Sequence, residues 1–213
     1  MGLIIYIFII ILLISYSIHL IILISRKDKN RKATIIYRDI FTFIWYSSIF
    51  TIPFLNSSLL FFIIPENVSY LGQFWIWFLP LGIIFIILGL KIYSMARKLL
   101  KNKINSELKF FVINEGIFKI MRNPKYTSLI LIYFGVVLIL DSFFGLIFCP
   151  LFYILMEIRI LIEEKVILST KLGDQFKIYK DKTPYRLFPN PYNYILIIVS
   201  IIIVYIGFLS LLQ

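Results

Sequence analysis

Arg159 and Glu163 are the residues of this chain whose types and spacing best suit chemistry on a charged small molecule. Four positions apart, they share one face of a helix and can pair. Glu164 follows about 100° further round the same helix, and Glu157 lies deeper in the apolar run, two residues before Arg159. A carboxylate at Glu163 suits a cationic ligand, with Arg159 positioning an anionic group; the plainer alternative is a salt bridge that closes the end of a helix. A second polar island runs Gly116-Ile-Phe-Lys-Ile-Met-Arg-Asn123-Pro124-Lys125-Tyr126. Gly116 permits a tight turn, and Asn123-Pro124 reads as the start of a helix, with Asn123 as its N-cap. The first amides of such a helix are free to meet a carboxylate or phosphate. Phe118 and Tyr126 could flank a purine, or could simply be aromatic belt residues at a membrane interface. A third island is Leu172-Gly-Asp-Gln-Phe-Lys-Ile-Tyr179, running into Thr183-Pro-Tyr-Arg-Leu-Phe-Pro189.

The elements that must position these islands are hydrocarbon-like. Of the 213 residues, 61% are hydrophobic and 15% charged, which excludes an ordinary soluble domain. The formal net charge of +11 would point to nucleic acid in a soluble chain, but its placement does not. All 22 Lys and Arg fall within 26–38, 91–125 and 159–186. That is the pattern of cations retained on the cytoplasmic side of a membrane, near anionic lipid. Cys149 reads as a buried small hydrophobe, and His19 as packing or a polar contact between helices; neither belongs to a metal-ligand spacing. The N-terminal run reads as a retained span rather than a cleaved signal.

The expected fold is all-α: a polytopic membrane helix bundle of about six apolar segments in one domain spanning 1–213. Spans are expected at about 3–24, 40–64 (interrupted by Pro53) and 71–93, with Trp75 and Trp77 as interfacial anchors. These make a three-span part over 1–95. Residues 96–190 form the motif region: a basic amphipathic stretch, then a short hairpin at about 126–162 that turns at Asp141-Ser-Phe-Phe-Gly145. A last span over 191–213 closes the chain. Charge counting puts every basic loop on the cytoplasmic side and both termini outside.

The order Gly-x-aromatic, Arg-Asn-Pro-x-Tyr, hairpin, Arg-x-x-x-Glu-Glu, Gly-x-x-Phe-x-x-Tyr, Pro-x-Arg resembles the isoprenylcysteine carboxyl methyltransferase family and its kin, the phospholipid methyltransferases. The resemblance covers about 105–190. It implies a multi-span enzyme using S-adenosylmethionine at the cytoplasmic face, acting on a lipophilic or membrane-associated acceptor. It also implies that Val112, Ile113, Phe118, Asn123, Pro124, Lys125, Tyr126 and Glu163 line the cofactor pocket and that Arg159 faces the acceptor. Asn123 and Phe118 stand where the family usually has His and Tyr. The residue types suit that cofactor: a carboxylate for its ammonium, helix-start amides for its carboxylate, aromatics for its adenine. Methyl transfer is an in-line displacement, so positioning should dominate the rate gain; an amine acceptor would also need a base, for which Glu164 is the candidate. Two other readings remain: an NADPH-dependent membrane reductase of sterol type, which shares an Arg-His-Pro-x-Tyr element but commonly continues Gly-Glu where Thr127-Ser128 stand here, and a non-catalytic membrane protein.

Overall fold

A computed structural model describes residues 2–25, 32–55, 75–106 and 113–211. All regular structure among them is helical. Helix α1 (Gly2–Ile24) and helix α2 (Lys32–Leu55) run antiparallel: Tyr16 meets the Trp45 ring at 5.2 Å, and His19 Nδ1 lies 3.0 Å from the Thr42 hydroxyl. The His19 contact is the interhelical one its place in the first apolar run led us to expect. α2 begins eight residues before the expected 40 and keeps Pro53 inside the helix; the rest of the expected second span, 56–64, lies outside the described residues.

Helix α3 (Trp75–Ser106) is one uninterrupted element. The expected boundary near 93 is absent, because the Lys- and Leu-rich stretch that follows favours helix as strongly as the apolar stretch before it. At 1.5 Å per residue such a helix crosses a ~30 Å hydrocarbon core with turns to spare, so it carries its basic end beyond the core. Helix α4 (Pro124–Ile139) packs antiparallel along α3 through close backbone contact. A Cβ on Gly82 would lie 2.9 Å from the Gly135 carbonyl, and one on Gly135 2.5 Å from that of Gly82. Trp75 closes the far end of this pair, its indole N–H donating to the Ile139 carbonyl at 3.1 Å.

The expected hairpin is present. Asp141 takes a left-handed φ of 48°, and the Ser142 hydroxyl caps helix α5 (Phe143–Ile162) by accepting from the Gly145 N–H at 3.1 Å. Its second arm is longer than expected: α5 continues through a π-helical segment, Glu163–Leu168, into helix α6 (Ser169–Leu172). Helix α7 (Asp174–Lys182) turns back at Gly173, and helix α8 (Tyr192–Leu211) ends the described chain. The core is built where α1, α2, α4 and α5 converge, on Trp45, Ile49, Tyr133, Val137, Phe152 and Met156.

Among the described residues, three helical stretches are long and apolar enough to cross a membrane: Tyr6–Ile24, Trp75–Lys101 and Phe144–Leu172; Pro124–Ile139 and Tyr192–Ile202 are shorter apolar helices. α2 is not among them; its described part carries Arg38, Asp39, Thr42, Ser47, Ser48 and Thr51 among its apolar residues. These groups are met within the helix, as when Thr42, Ser48 and Thr51 donate to carbonyls four residues back.

Candidate functional site

The polar islands converge where α4 starts and the π-helical segment begins. Gly116 opens a 3₁₀ turn, Gly116–Lys119, with φ +52°, a left-handed conformation that glycine tolerates. Arg122 and Asn123 then run beside the segment after α7: the Arg122 N–H donates to the Tyr185 carbonyl at 3.0 Å and the Asn123 N–H to the Arg186 carbonyl at 3.1 Å. α4 starts at Pro124, as Asn123-Pro124 led us to expect, with Asn123 at the N-cap position. Its side chain does not cap, however. The amide turns away to Glu164 at 3.2 Å and the Arg186 carbonyl at 3.3 Å.

Glu163 and Glu164 sit at the head of the π-helical segment, a widened turn found disproportionately at functional sites. Being about a quarter-turn apart, they face different partners. Glu164 is the hub of a buried ionic network. Arg122 Nε and Nη2 reach its two oxygens at 3.0 and 3.3 Å, and Asn123 and Arg186 Nε (3.4 Å) complete the set. Arg122 Nη1 also donates to the carbonyls of Thr183 and Pro184, at 2.7 and 2.9 Å. Arg186 Nη1 bonds Glu157 at 2.9 Å. Burial works to lower the Arg186 pKa, but the bond to Glu157 and the charges of Glu164 and Glu157 outweigh it and raise the pKa. Tyr179 ties α7 to the 3₁₀ turn by donating to the Phe118 carbonyl at 2.9 Å, and burial pushes its hydroxyl up to about 12 despite the nearby Arg122 charge.

Glu163 belongs to a second cluster. The Tyr126 hydroxyl lies 2.8 and 2.7 Å from its two oxygens, and Arg159 Nε donates to one of them at 3.3 Å. The guanidinium carbon of Arg159 stands 5.7, 5.6 and 5.2 Å from the ring centres of Trp45, Tyr46 and Tyr126, within cation–π range. Arg159 Nη1 donates to the Tyr46 hydroxyl at 3.1 Å.

The two carboxylates therefore differ in what they can still do. An ionised carboxylate offers about four acceptor directions. Glu164 has four donor contacts and a side chain 6% exposed; among the described residues Glu163 has donor contacts from Tyr126 and Arg159, and it is 24% exposed. Glu163, part-exposed and beside the Tyr126 ring, is a carboxylate that could accept from the ammonium of S-adenosylmethionine; Glu157, exposed to the same 24%, is bonded to Arg186.

The remaining expected residues scatter more widely. Pro124 and Ile113 are buried and Lys125 is exposed, while Val112 lies outside the described residues. Phe118 and Tyr126 do not pack around a common space: Phe118 joins a small cluster with Ala96, Ile117 and Met121, whereas Tyr126 packs against the main core. The separation follows from the 3₁₀ turn, which aims Phe118 at α3. A cleft of about 350 Å³ beside Glu164 is lined by Lys165, Lys177, Lys180, Arg186 and Phe176, and an apolar groove of about 380 Å³ on the other side of α4 by Ile92, Met121, Thr127, Leu131 and Phe188. Neither is lined by Phe118, Asn123, Lys125, Tyr126 or Glu163.

Sequence reading missed four contributors: Arg122, Arg186, Trp45 and Tyr46. Arg122 and Arg186 stand inside the polar islands, and Trp45-Tyr46 lie beside the hydroxyl residues Ser47 and Ser48 in an apolar run.

Residues 77–175 match the model of the phospholipid methyltransferase family, which belongs to the isoprenylcysteine carboxyl methyltransferase-like group of membrane methyltransferases. The match spans α3 through the start of α7, so it includes Arg122, Tyr126, Arg159, Glu163 and Glu164 but not Trp45, Tyr46 or Arg186. No curated protein and no solved structure matches the chain.

Proposed function

We propose that this chain transfers a methyl group from S-adenosylmethionine to a lipophilic or membrane-associated acceptor, with the hairpin feet on the cytoplasmic side and both termini outside. The observation that carries the proposal is the contrast between the two adjacent carboxylates, one filled by donors and one open. Glu163 would hold the ammonium of the cofactor, and Tyr126 keeps that carboxylate aimed. When bound, the cofactor supplies an electrophilic methyl group on a sulfonium. Arg159 orients the acceptor through an anionic group. Ile113, Phe118, Asn123, Pro124 and Lys125, with Val112, belong to the walls of the cofactor pocket by resemblance.

Glu164 acts as an anchor in this reading. Its acceptor directions are occupied, so an acceptor that must lose a proton would need another base. A carboxylate or thiolate acceptor needs none. Positioning of the two reactants for in-line displacement remains the main source of rate. The family match favours this reading over a sterol-type reductase or a non-catalytic membrane protein.

The test is incubation of purified protein and methyl-labelled S-adenosylmethionine with membrane lipid extracts. A labelled, organic-soluble product that disappears in the Glu163→Gln variant is expected. Folded wild-type protein that labels nothing in the extract would count against the proposal.

A further inference from the structure

We infer that Trp45 and Tyr46 of α2 are positioning residues for Arg159, completing the transfer site from the N-terminal half of the chain; this rests on the reading of Arg159 as the group that orients the acceptor.

Arg159 is 8% exposed and lies within a helix apolar enough to cross a membrane. A cation at that depth is costly unless it is paired or solvated. Glu163 neutralises it, but one contact at Nε leaves the planar guanidinium free to swing about that bond. The bond from Nη1 to the Tyr46 hydroxyl supplies a second fixed point. Two points and the rings of Trp45, Tyr46 and Tyr126 then define the plane of the fork, on which anion recognition by arginine depends.

Trp45 carries an independent sign of this role. It is fully buried, and its indole N–H has no hydrogen-bond partner among the described residues. An unmet buried donor is costly, and filling space alone would not require an indole. The ring is instead stacked on Tyr46 with centroids 4.0 Å apart and packed edge-on against Tyr16, fixing the face that meets the guanidinium. These contacts tie α1, α2 and α5 together at one cation.

Tyr46→Phe tests the inference, since it keeps the ring and removes only the hydroxyl. Nitrogen-resolved NMR of the arginine side chains, with the Arg159 signals assigned by their loss in Arg159→Lys, reads the positioning directly. Slowly exchanging Arg159 protons in the wild type should exchange at least about tenfold faster in Tyr46→Phe. Methyl transfer to lipid extract should fall about tenfold, with S-adenosylmethionine affinity within about twofold of wild type. Trp45→Leu should speed the exchange while the Tyr46 hydroxyl is still present. Unchanged Arg159 exchange in Tyr46→Phe overturns the inference. So does a parallel fall of cofactor affinity, transfer and thermal midpoint, which would mark a packing role. If the wild type transfers no methyl group, the proposed function fails, while the exchange measurement still decides whether α2 positions Arg159.

Discussion

Arg122 and Glu164 are 42 residues apart in sequence, yet they meet through two contacts of 3.0 and 3.3 Å with side chains only 4% and 6% exposed. The pair fastens the start of α4 to the end of α5, the two feet of one hairpin. Arg186 extends it to Glu157, and Arg122 reaches the carbonyls after α7, so three separate chain segments close on one carboxylate. Glu163 is thereby held at the same level with its own carboxylate still open.

Removing Glu164 should therefore damage the fold before it damages chemistry. Glu164→Ala leaves Arg122 buried without its counter-charge, which costs about 3–5 kcal/mol. A large drop in the thermal unfolding midpoint in detergent is expected. Glu163→Gln also removes the counter-charge of a buried arginine, Arg159, but it keeps an acceptor for Tyr126 and Arg159 and leaves the Tyr46 hydroxyl and three rings around the guanidinium, so the midpoint should fall less.

Tyr126→Phe isolates the aiming of Glu163. The ring that covers Arg159 remains, and only the hydroxyl bonded to the carboxylate goes. Hydrogen bonds to charged groups contribute about 1.5–3 kcal/mol, so calorimetric titration should show S-adenosylmethionine affinity at least about tenfold weaker. Unchanged affinity would remove Tyr126 from the cofactor site.

Gly116→Ala should destabilise the entry to α4. The residue has φ +52°, and an added Cβ would meet Leu99 Cδ1 at 2.9 Å. Left-handed backbone costs a non-glycine residue about 1–2 kcal/mol, to which the contact adds. Thermal unfolding of the purified variant, compared with an alanine at exposed Lys125, gives the measure.

The clamp formed by Tyr179 should be insensitive to pH until strongly alkaline conditions. Burial raises its hydroxyl above the ordinary tyrosine value to about 12 in the folded protein, so the folded state holds the proton more firmly than the unfolded one. The associated stability is fully present below about pH 10 and is lost as pH rises through about 12. Unfolding followed across that window should show a decline that Tyr179→Phe flattens.

The hairpin was readable because local signals mark it: Asn123-Pro124 at one end, Asp141-Ser142 at the turn, Arg159 and Glu163 four apart on the returning arm. The π-helical segment carries no such marker, and neither does the continuation of α3 to Ser106, where a change from apolar to basic composition looked like a boundary. Asn123 illustrates the limit of a local rule. It occupies the N-cap position, but the buried Glu164 competes for its amide and wins. Pairings such as Arg122 with Glu164, Arg186 with Glu157 and Arg159 with Tyr46 depend on how distant helices pack, and no spacing within the chain encodes them.

Equilibrium binding of S-adenosylmethionine to purified, folded wild-type and Glu163→Gln protein tests the central claim most directly. The account predicts saturable binding by the wild type and at least about tenfold weaker binding by Glu163→Gln protein that is shown to be folded, consistent with loss of one charged contact. A folded wild type that does not bind, or a Glu163→Gln variant that binds as tightly, would contradict it.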